Sequence, residues 1–224
     1  MTAVDAAPPT PIVVFARAPV AGAAKTRLAP RLGAAGAARL HALLVERAIA
    51  TALAAGLGPV ELCAAPDAAH PFFRRCAERF GIALAAQGGG DLGARMHAAL
   101  ARVATAGGAL LIGSDCPALT PAYLRAAAAA LARGGDAVFG PAEDGGYVLV
   151  GLRRVAPAVF DGIRWGAPSA MAETRERLRA LRWRWDELAV LWDVDRPEDL
   201  ARLAEAVDGG ARLLAAAAGP APGA

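Results

Sequence analysis

The sequence predicts an α/β domain in which a mostly parallel sheet carries helices on both faces. Short apolar runs alternate with longer helical patterns from end to end, as repeated strand, helix, strand units require. No Ser-rich or charged linker interrupts the 224 residues, so they read as one domain over 11–207, with loosely packed or disordered termini at 1–10 and 208–224.

The elements follow in order. "PIVVFA" (11–16) reads as a buried strand, and 38–55 as a helix with Leu40, Leu43, Leu44 and Ala48 on one face. "PVELCAA" (59–65) is the next strand, "PFFRRCAERF" (71–80) a helix and "GIALAA" (81–86) a third strand. A helix from Leu92 to about Ala104 precedes "ALLIG" (109–113), the most continuous apolar run. Thr120 is placed to cap a helix that opens with Pro121, a first position that tolerates proline. "DAVFG" and "YVLVGL" add two strands, 169–181 another helix, and "LAVLWDVD" (188–195) a closing strand before a last helix from about Pro197.

Composition excludes several classes. Lys and Arg total 24 against 21 Asp and Glu, spread rather than clustered, which argues against nucleic acid as a partner. No apolar stretch approaches a membrane span, and residues 1–10 lack a signal peptide's basic and apolar regions, so no membrane partner and a cytoplasmic location are expected. Cys63, Cys76 and Cys116 are odd in number and form no CxxC pair, which points to neither disulfides nor zinc. His41, His70 and His97 stand at no ligand spacing.

In such sheets ligands bind beyond the carboxyl ends of the strands, so the loops that follow strands are where chemistry is sought. The first, about Ala16 to Leu32, exceeds the roughly 2 to 6 residues usual between strand and helix. Gly22 would let backbone approach a ligand, and Lys25 and Arg27 would give phosphate oxygens a point charge and a planar fork. Ala24 before the lysine rules out a Walker A loop, and the alternative is a solvated basic turn. In the second loop Gly88, Gly90 and Gly93 satisfy GxGxxG, with Asp115 roughly twenty residues on, which keeps a nicotinamide-dependent oxidoreductase open; a flexible turn with no ligand role is the alternative. The third, "GSDCPALT", sets Asp115 just past the strongest strand, where a carboxylate can hold Mg²⁺ or Mn²⁺ against a diphosphate, or cap a turn. The fourth, "GPAEDGGYVLVGL", offers Glu143 and Asp144 as base or hydroxyl-binding groups, with Gly145 and Gly146 giving access; a hairpin turn with Asp-Gly at positive φ is the alternative. In "WDVDRPEDL", Asp195 with Glu198 reads as a capping box, while Asp193 and Asp195 also end a strand on the ligand side.

Taken together, "FARAPVAGAAKTRLAPRLG", "DLGARM", "GSDCPALT", "GPAEDGGYVLVGL", Trp165 and "DVDRPEDL" resemble a transferase family associated with radical-SAM and selenium-domain proteins, some of whose members are named arsenosugar biosynthesis glycosyltransferases. The resemblance spans about 11–205 and implies the GT-A, nucleotide-diphospho-sugar transferase fold, which nucleotidyltransferases share. It implies that Lys25 and Arg27 hold nucleotide phosphates and that Asp115 binds Mg²⁺ or Mn²⁺. GT-A enzymes often show Asp-x-Asp; here Cys116 and Pro117 follow Asp115, so Asp195 is the candidate second ligand.

On that resemblance the nucleotide-activated substrate and small-molecule acceptor would meet Ala16, Pro19, Gly22 and Thr26 in the first loop and Gln87, Gly88, Gly90, Asp91, Gly93 and Arg95 in the second. Ser114, Glu143, Gly145, Gly146, Tyr147 and Trp165 complete the set, and Asp144 would orient the acceptor hydroxyl. The expected activity is glycosyl transfer from a nucleotide sugar, with nucleotidyl transfer from a triphosphate as the alternative.

Overall fold

The computed structural model describes residues 8–219. Seven strands form one sheet in the order β3-β2-β1-β4-β6-β5-β7: β1 Ile12–Arg17, β2 Val60–Ala65, β3 Ala83–Ala86, β4 Ala109–Gly113, β5 Ala137–Pro141, β6 Tyr147–Leu152 and β7 Trp185–Glu187. Only β6 is antiparallel to its neighbours, pairing Ala109 with Leu152 on β4 and Ala137 with Leu152 on β5. The sheet is therefore mostly parallel, and the reversed β6 brings Tyr147, at its start, to the edge where the other strands end.

Two-sided burial explains why the strands read as apolar runs. Ile12, Val14 and Ala16 of β1 pack into one cluster with Leu62, Leu110 and Ile112, whereas Val13 and Phe15 point into the other with Leu111, Phe139 and Val150. Helices α1 (Ala29–Ala55), α2 (Pro71–Phe80) and α4 (Pro121–Ala132) cover the first face; α3 (Leu92–Val103) and α5 (Ala170–Ala180) cover the second. Thr120 caps α4 as expected, its hydroxyl accepting from the Tyr123 amide at 3.2 Å. Asp91 does the same for α3, accepting from Ala94 N at 2.8 Å.

Four expectations need correction. Helix α1 begins at Ala29, with a break at Gly33 (φ 69°, ψ 161°), so the long first loop is shorter than it reads and runs only from β1 to the 3₁₀ turn Thr26–Leu28. The segment 188–195 is not a closing strand. β7 ends at Glu187; beyond it the amides of Leu188 and Leu191 still donate to the Phe139 and Pro141 carbonyls and Leu191 bridges Ala142, but two residues intervene between those bonds, so the pairing is no longer a regular ladder. Asp195 does not cap the last helix: the residue before α6 (Asp199–Ala206) is Glu198, which makes no capping bond, and Asp199 Oδ2 instead accepts from the amides of Asp195 and Arg196. Finally, the expected loose terminus contains helix α7 (Gly210–Ala218), whose Ala217 is buried against α1 and α6 and whose last carbonyls accept from Arg39. Residues 1–7 and 220–224 lie outside the described residues.

Candidate active site

The site is built at the carboxyl edge of β1 and β4. After β1 the chain turns on Val20, whose carbonyl accepts from the amides of Ala23 and Ala24. Lys25 then adopts a left-handed conformation (φ 48°, ψ 43°), uncommon for a residue with a side chain. Its side chain is only 5% exposed, and its ammonium lies 3.0 Å from Asp115 Oδ1 and 2.7 Å from Asp195 Oδ1. Burial works against the charge on Lys25, but the two carboxylates overcome it and hold its pKa above the ordinary lysine value. Lys25 is thus a buried cation shared by two acids, joining segments 170 residues apart.

Asp115 is placed by a second group that sequence reasoning set aside. His41, buried on α1, donates from Nε2 to the Arg17 carbonyl at 3.0 Å, which leaves Nδ1 3.5 Å from Asp115 Oδ1. Burial of its Oδ1 disfavours ionisation of Asp115, yet Lys25 and then His41 hold its pKa far below the carboxylate range. The only hint in the sequence is a histidine beside Leu40 and Leu44 on an apolar helical face. Asp193 was seen only as a strand-end carboxylate. It stands in the same acidic group, where burial, then Asp115 and Asp144, push its pKa up to about 7.

Asp115 and Asp195 therefore converge on the ammonium through their Oδ1 atoms. Their side chains are 40% and 45% exposed, so their Oδ2 atoms, beside the ammonium rather than in its place, fit a hard cation that takes its other ligands from phosphate and water. Among the described residues no group of three or more His, Cys, Asp or Glu forms a protein-only metal site.

Two cavities are lined by residues of this edge. One, of about 510 Å³, is lined by Arg17, Ala18, Val20, Gln87, Gly88, Gly90 and Arg95. Gln87 is buried there with its amide fully engaged: Nε2 donates to the carbonyls of Ala16 and Cys63, and Oε1 accepts from Arg95 at 2.9 Å. It therefore fixes Arg95 and ties β1 and β2 to the loop after β3. The other cavity, of about 250 Å³, lies on the α3 and α5 side and is lined by Phe15, Gly113, Asp144, Gly146, Tyr147, Trp165 and Asp193 among others.

The structure thus gathers Lys25, Asp115 and Asp195, and places Asp144, Gly146, Tyr147 and Trp165 together in the smaller cavity. Arg27 and Thr26 are exposed on the 3₁₀ turn, and Arg27 makes no ion pair among the described residues. Pro19 and Gly22 flank the same turn, with Gly22 exposed, and Ser114 is buried beside Asp115. Glu143 does not join them, because Arg202 of α6 holds its carboxylate with two bonds of 2.7 and 2.8 Å. Asp144 serves the hairpin turn, accepting from Gly146 N at 2.9 Å, and also lines the cavity. In the second loop Asp91 is a helix cap and Gly93 a packing residue, since a Cβ there would lie 2.8 Å from both Phe160 and Trp165. These glycines follow the edge strand β3, whereas a dinucleotide fingerprint follows the first strand of its unit at the switch point.

Among solved structures the chain is similar to a protein of Desulfovibrio desulfuricans G20 provisionally named a nucleotide-diphospho-sugar transferase, at 32% identity and TM-score 0.81, over 92% of this chain and 94% of that one. It shares its fold with a nucleotidyl transferase of Methanothermobacter (15% identity, TM-score 0.61, covering 91% and 98%). The same holds for glucosyl-3-phosphoglycerate synthase of Mycobacterium tuberculosis, solved with Mn²⁺, UDP and glucosyl-3-phosphoglycerate (12% identity, TM-score 0.51, covering 93% and 78%). The fold is that of the nucleotide-diphospho-sugar transferases, and the structural neighbours are transferases of glycosyl and nucleotidyl groups. No curated protein matches the sequence. The profile of the family described as "Uncharacterized protein conserved in bacteria (DUF2064)" matches residues 48–167, just over half of the chain, and the chain therefore belongs to that family.

Proposed function

We propose that the protein is a cytoplasmic, divalent-metal-assisted glycosyltransferase that moves a sugar from a nucleotide diphosphate to a small acceptor. The observation that carries this is Lys25 held between Asp115 and Asp195, at the edge of the sheet whose loops line two separate cavities. The larger cavity, roofed by the first loop and floored by the Gln87–Arg95 pair, would take the nucleoside. Arg27, exposed on its turn, would bind the diphosphate with its planar fork.

The chain's groups act here by charge rather than by covalent chemistry. Mg²⁺ or Mn²⁺ on Asp115 and Asp195, when bound, would supply Lewis-acid neutralisation of the departing diphosphate. Lys25 adds a fixed positive charge beside the leaving oxygen, held in place before the substrate arrives. Asp144 keeps one carboxylate oxygen on Gly146 N, and its other oxygen would accept the acceptor's hydroxyl hydrogen. The neighbour solved with Mn²⁺ supports metal use, and the resemblance of the sequence motifs to the radical-SAM-associated transferases favours a sugar as the transferred group. The three cysteines are free, buried thiols, in keeping with a reducing compartment.

Nucleotidyl transfer is the second reading, because an Arg27 beside Lys25 that makes no ion pair among the described residues suits a triphosphate equally well, and a cytidylyltransferase and a nucleotidyl transferase are among the structural neighbours. The products separate the two. With Mn²⁺, glycosyl transfer releases a nucleoside diphosphate from a nucleotide sugar, whereas nucleotidyl transfer releases pyrophosphate from a triphosphate. Slow release of nucleoside diphosphate from one member of a nucleotide-sugar panel is expected. Acceptor-dependent pyrophosphate, with no nucleoside diphosphate from any nucleotide sugar, would replace the first reading with the second.

A further inference from the structure

We propose that the smaller cavity selects an acceptor that is uncharged, bears hydroxyls and has an apolar face, and that it rejects phosphorylated or carboxylated acceptors. The proposal rests on the transferase reading and names the substrate class that reading leaves open. The cavity, of about 250 Å³, suits a molecule of monosaccharide size, and the ionisable side chains in its lining are both acidic, Asp144 and Asp193, with no Lys, Arg or His among them. An anion entering it would meet the Asp144 carboxylate without a compensating cation, because Lys25 is already shared between Asp115 and Asp195.

The remaining surface favours a ring with one apolar side. Phe15, Tyr147 and Trp165 line it, and Tyr147 packs edge-on against Trp165 with ring centroids 6.2 Å apart. Trp165 Nε1 is buried without a hydrogen-bond partner among the described residues, whereas Tyr147 Oη lies beside the Thr174 hydroxyl, which donates to the Ala170 carbonyl and can accept from the phenol. A buried donor left unpaired is costly, and a ligand oxygen reaching the indole would satisfy it. Hydroxyls fill both needs at once, donating to the Asp144 carboxylate and accepting from the indole, whereas a phosphate or carboxylate oxygen can only accept.

The test is ligand-observed NMR titration of the full chain with phenyl β-D-glucoside and with its 6-phosphate. The neutral probe is expected to bind at least about tenfold more tightly, and the gap should narrow as salt screens the Asp144 carboxylate. Trp165→Phe, which removes the indole donor and keeps an aromatic, though smaller, ring, should weaken the neutral probe several-fold. Leu92→Lys, which places a cation on the cavity wall at the start of α3, should favour the phosphate probe instead. Equal or tighter binding of the 6-phosphate by the unmodified protein would overturn the proposal, as would binding of neither probe at millimolar concentration or neutral binding indifferent to both substitutions. The same samples are titrated with UDP, GDP, CDP and ADP in Mn²⁺. A nucleotide bound while the glucoside is ignored overturns the acceptor class and leaves the transferase reading standing. Glucoside bound selectively with no nucleotide bound at all supports the cavity's selectivity and overturns the transferase reading.

Discussion

Lys25 holds together charges that would otherwise repel, and its removal should be felt in stability as well as in ligand binding. Lys25→Met keeps the length of the side chain but leaves Asp115 and Asp195 facing each other. Breaking a fully buried pair costs about 3–5 kcal/mol, and the partial exposure of both carboxylates reduces that to about 1–3 kcal/mol. The pH dependence has a definite sign. Asp115 has a depressed pKa in the folded protein, so its stabilising contribution is present above its unfolded pKa and is lost on acidification. Urea titrations should therefore show the gap between wild type and Lys25→Met widest at neutral pH and closing below about pH 4; a gap that does not change with pH would mean that Lys25 acts by packing alone. Asp193 behaves oppositely. With a folded pKa of about 7 against an ordinary value of 3.8, it favours the folded state below the lower value and loses that contribution as pH rises through about 7. Asp193→Asn should accordingly gain melting temperature relative to wild type as pH rises from about 4 to about 7, with no further change above that, and parallel profiles would show that Asp193 titrates normally. None of this pairing is visible in sequence: Lys25 reads as a first-loop residue, Asp115 as the carboxylate past a strand and Asp195 as the end of a strand that does not form, and nothing in their spacing says that the two acids share one ammonium.

At the scale of elements, local pattern and local chemistry were read well where they acted alone. The run at 109–113 is a strand over those five residues, and Thr120–Pro121 opens a helix as expected, because both depend on a few neighbouring residues. The misplaced strand at 188–195 and the unforeseen α7 depend on partners distant in sequence, the end of β5 in one case and the flank of α1 in the other. The turn between β5 and β6 shows how a hairpin signal and a functional signal can both hold. Gly145 has φ 88°, as an Asp-Gly hairpin requires, while Asp144 in the same turn lines the smaller cavity. Gly145 is also fixed from outside: a Cβ there would lie 2.0 Å from the Pro168 carbonyl oxygen, and its own carbonyl accepts from Met171 N at 2.9 Å. Backbone cannot yield as a side-chain tip can. Gly145→Ala should cost about 2 kcal/mol or more and move the segment that carries Trp165, so calorimetry should register lower stability and NMR weaker probe binding in the smaller cavity. A fully stable variant with an unchanged cavity would show that the turn and the segment ending in Pro168 are not coupled.

Over the whole molecule, the candidate site joins the two ends of the described chain. The first loop contributes Lys25, the middle of the chain Asp115 and Asp144, and the segment before α6 contributes Asp193 and Asp195. Trp192 and Val194 of that last segment pack with Leu28, Leu40 and Leu44, so α1, α6 and α7 form one cluster beside the ammonium. This interlocking supports a single cooperative domain rather than separable halves, and ligand linkage tests it. A nucleoside diphosphate with Mn²⁺, present at a hundred times its dissociation constant, stabilises the folded state by about 2.7 kcal/mol. For a chain of this length each kcal/mol raises the melting temperature by roughly 2–4 °C, so a shift of about 5–10 °C is expected in one calorimetric transition. Asp195→Asn should shrink that shift by removing a carboxylate from the proposed metal site, even though Asp195 lies 170 residues from Lys25. Two transitions, only one of them moved by the nucleotide, would mean that the chain unfolds in parts and that the Lys25–Asp195 pair does not bind them into one unit.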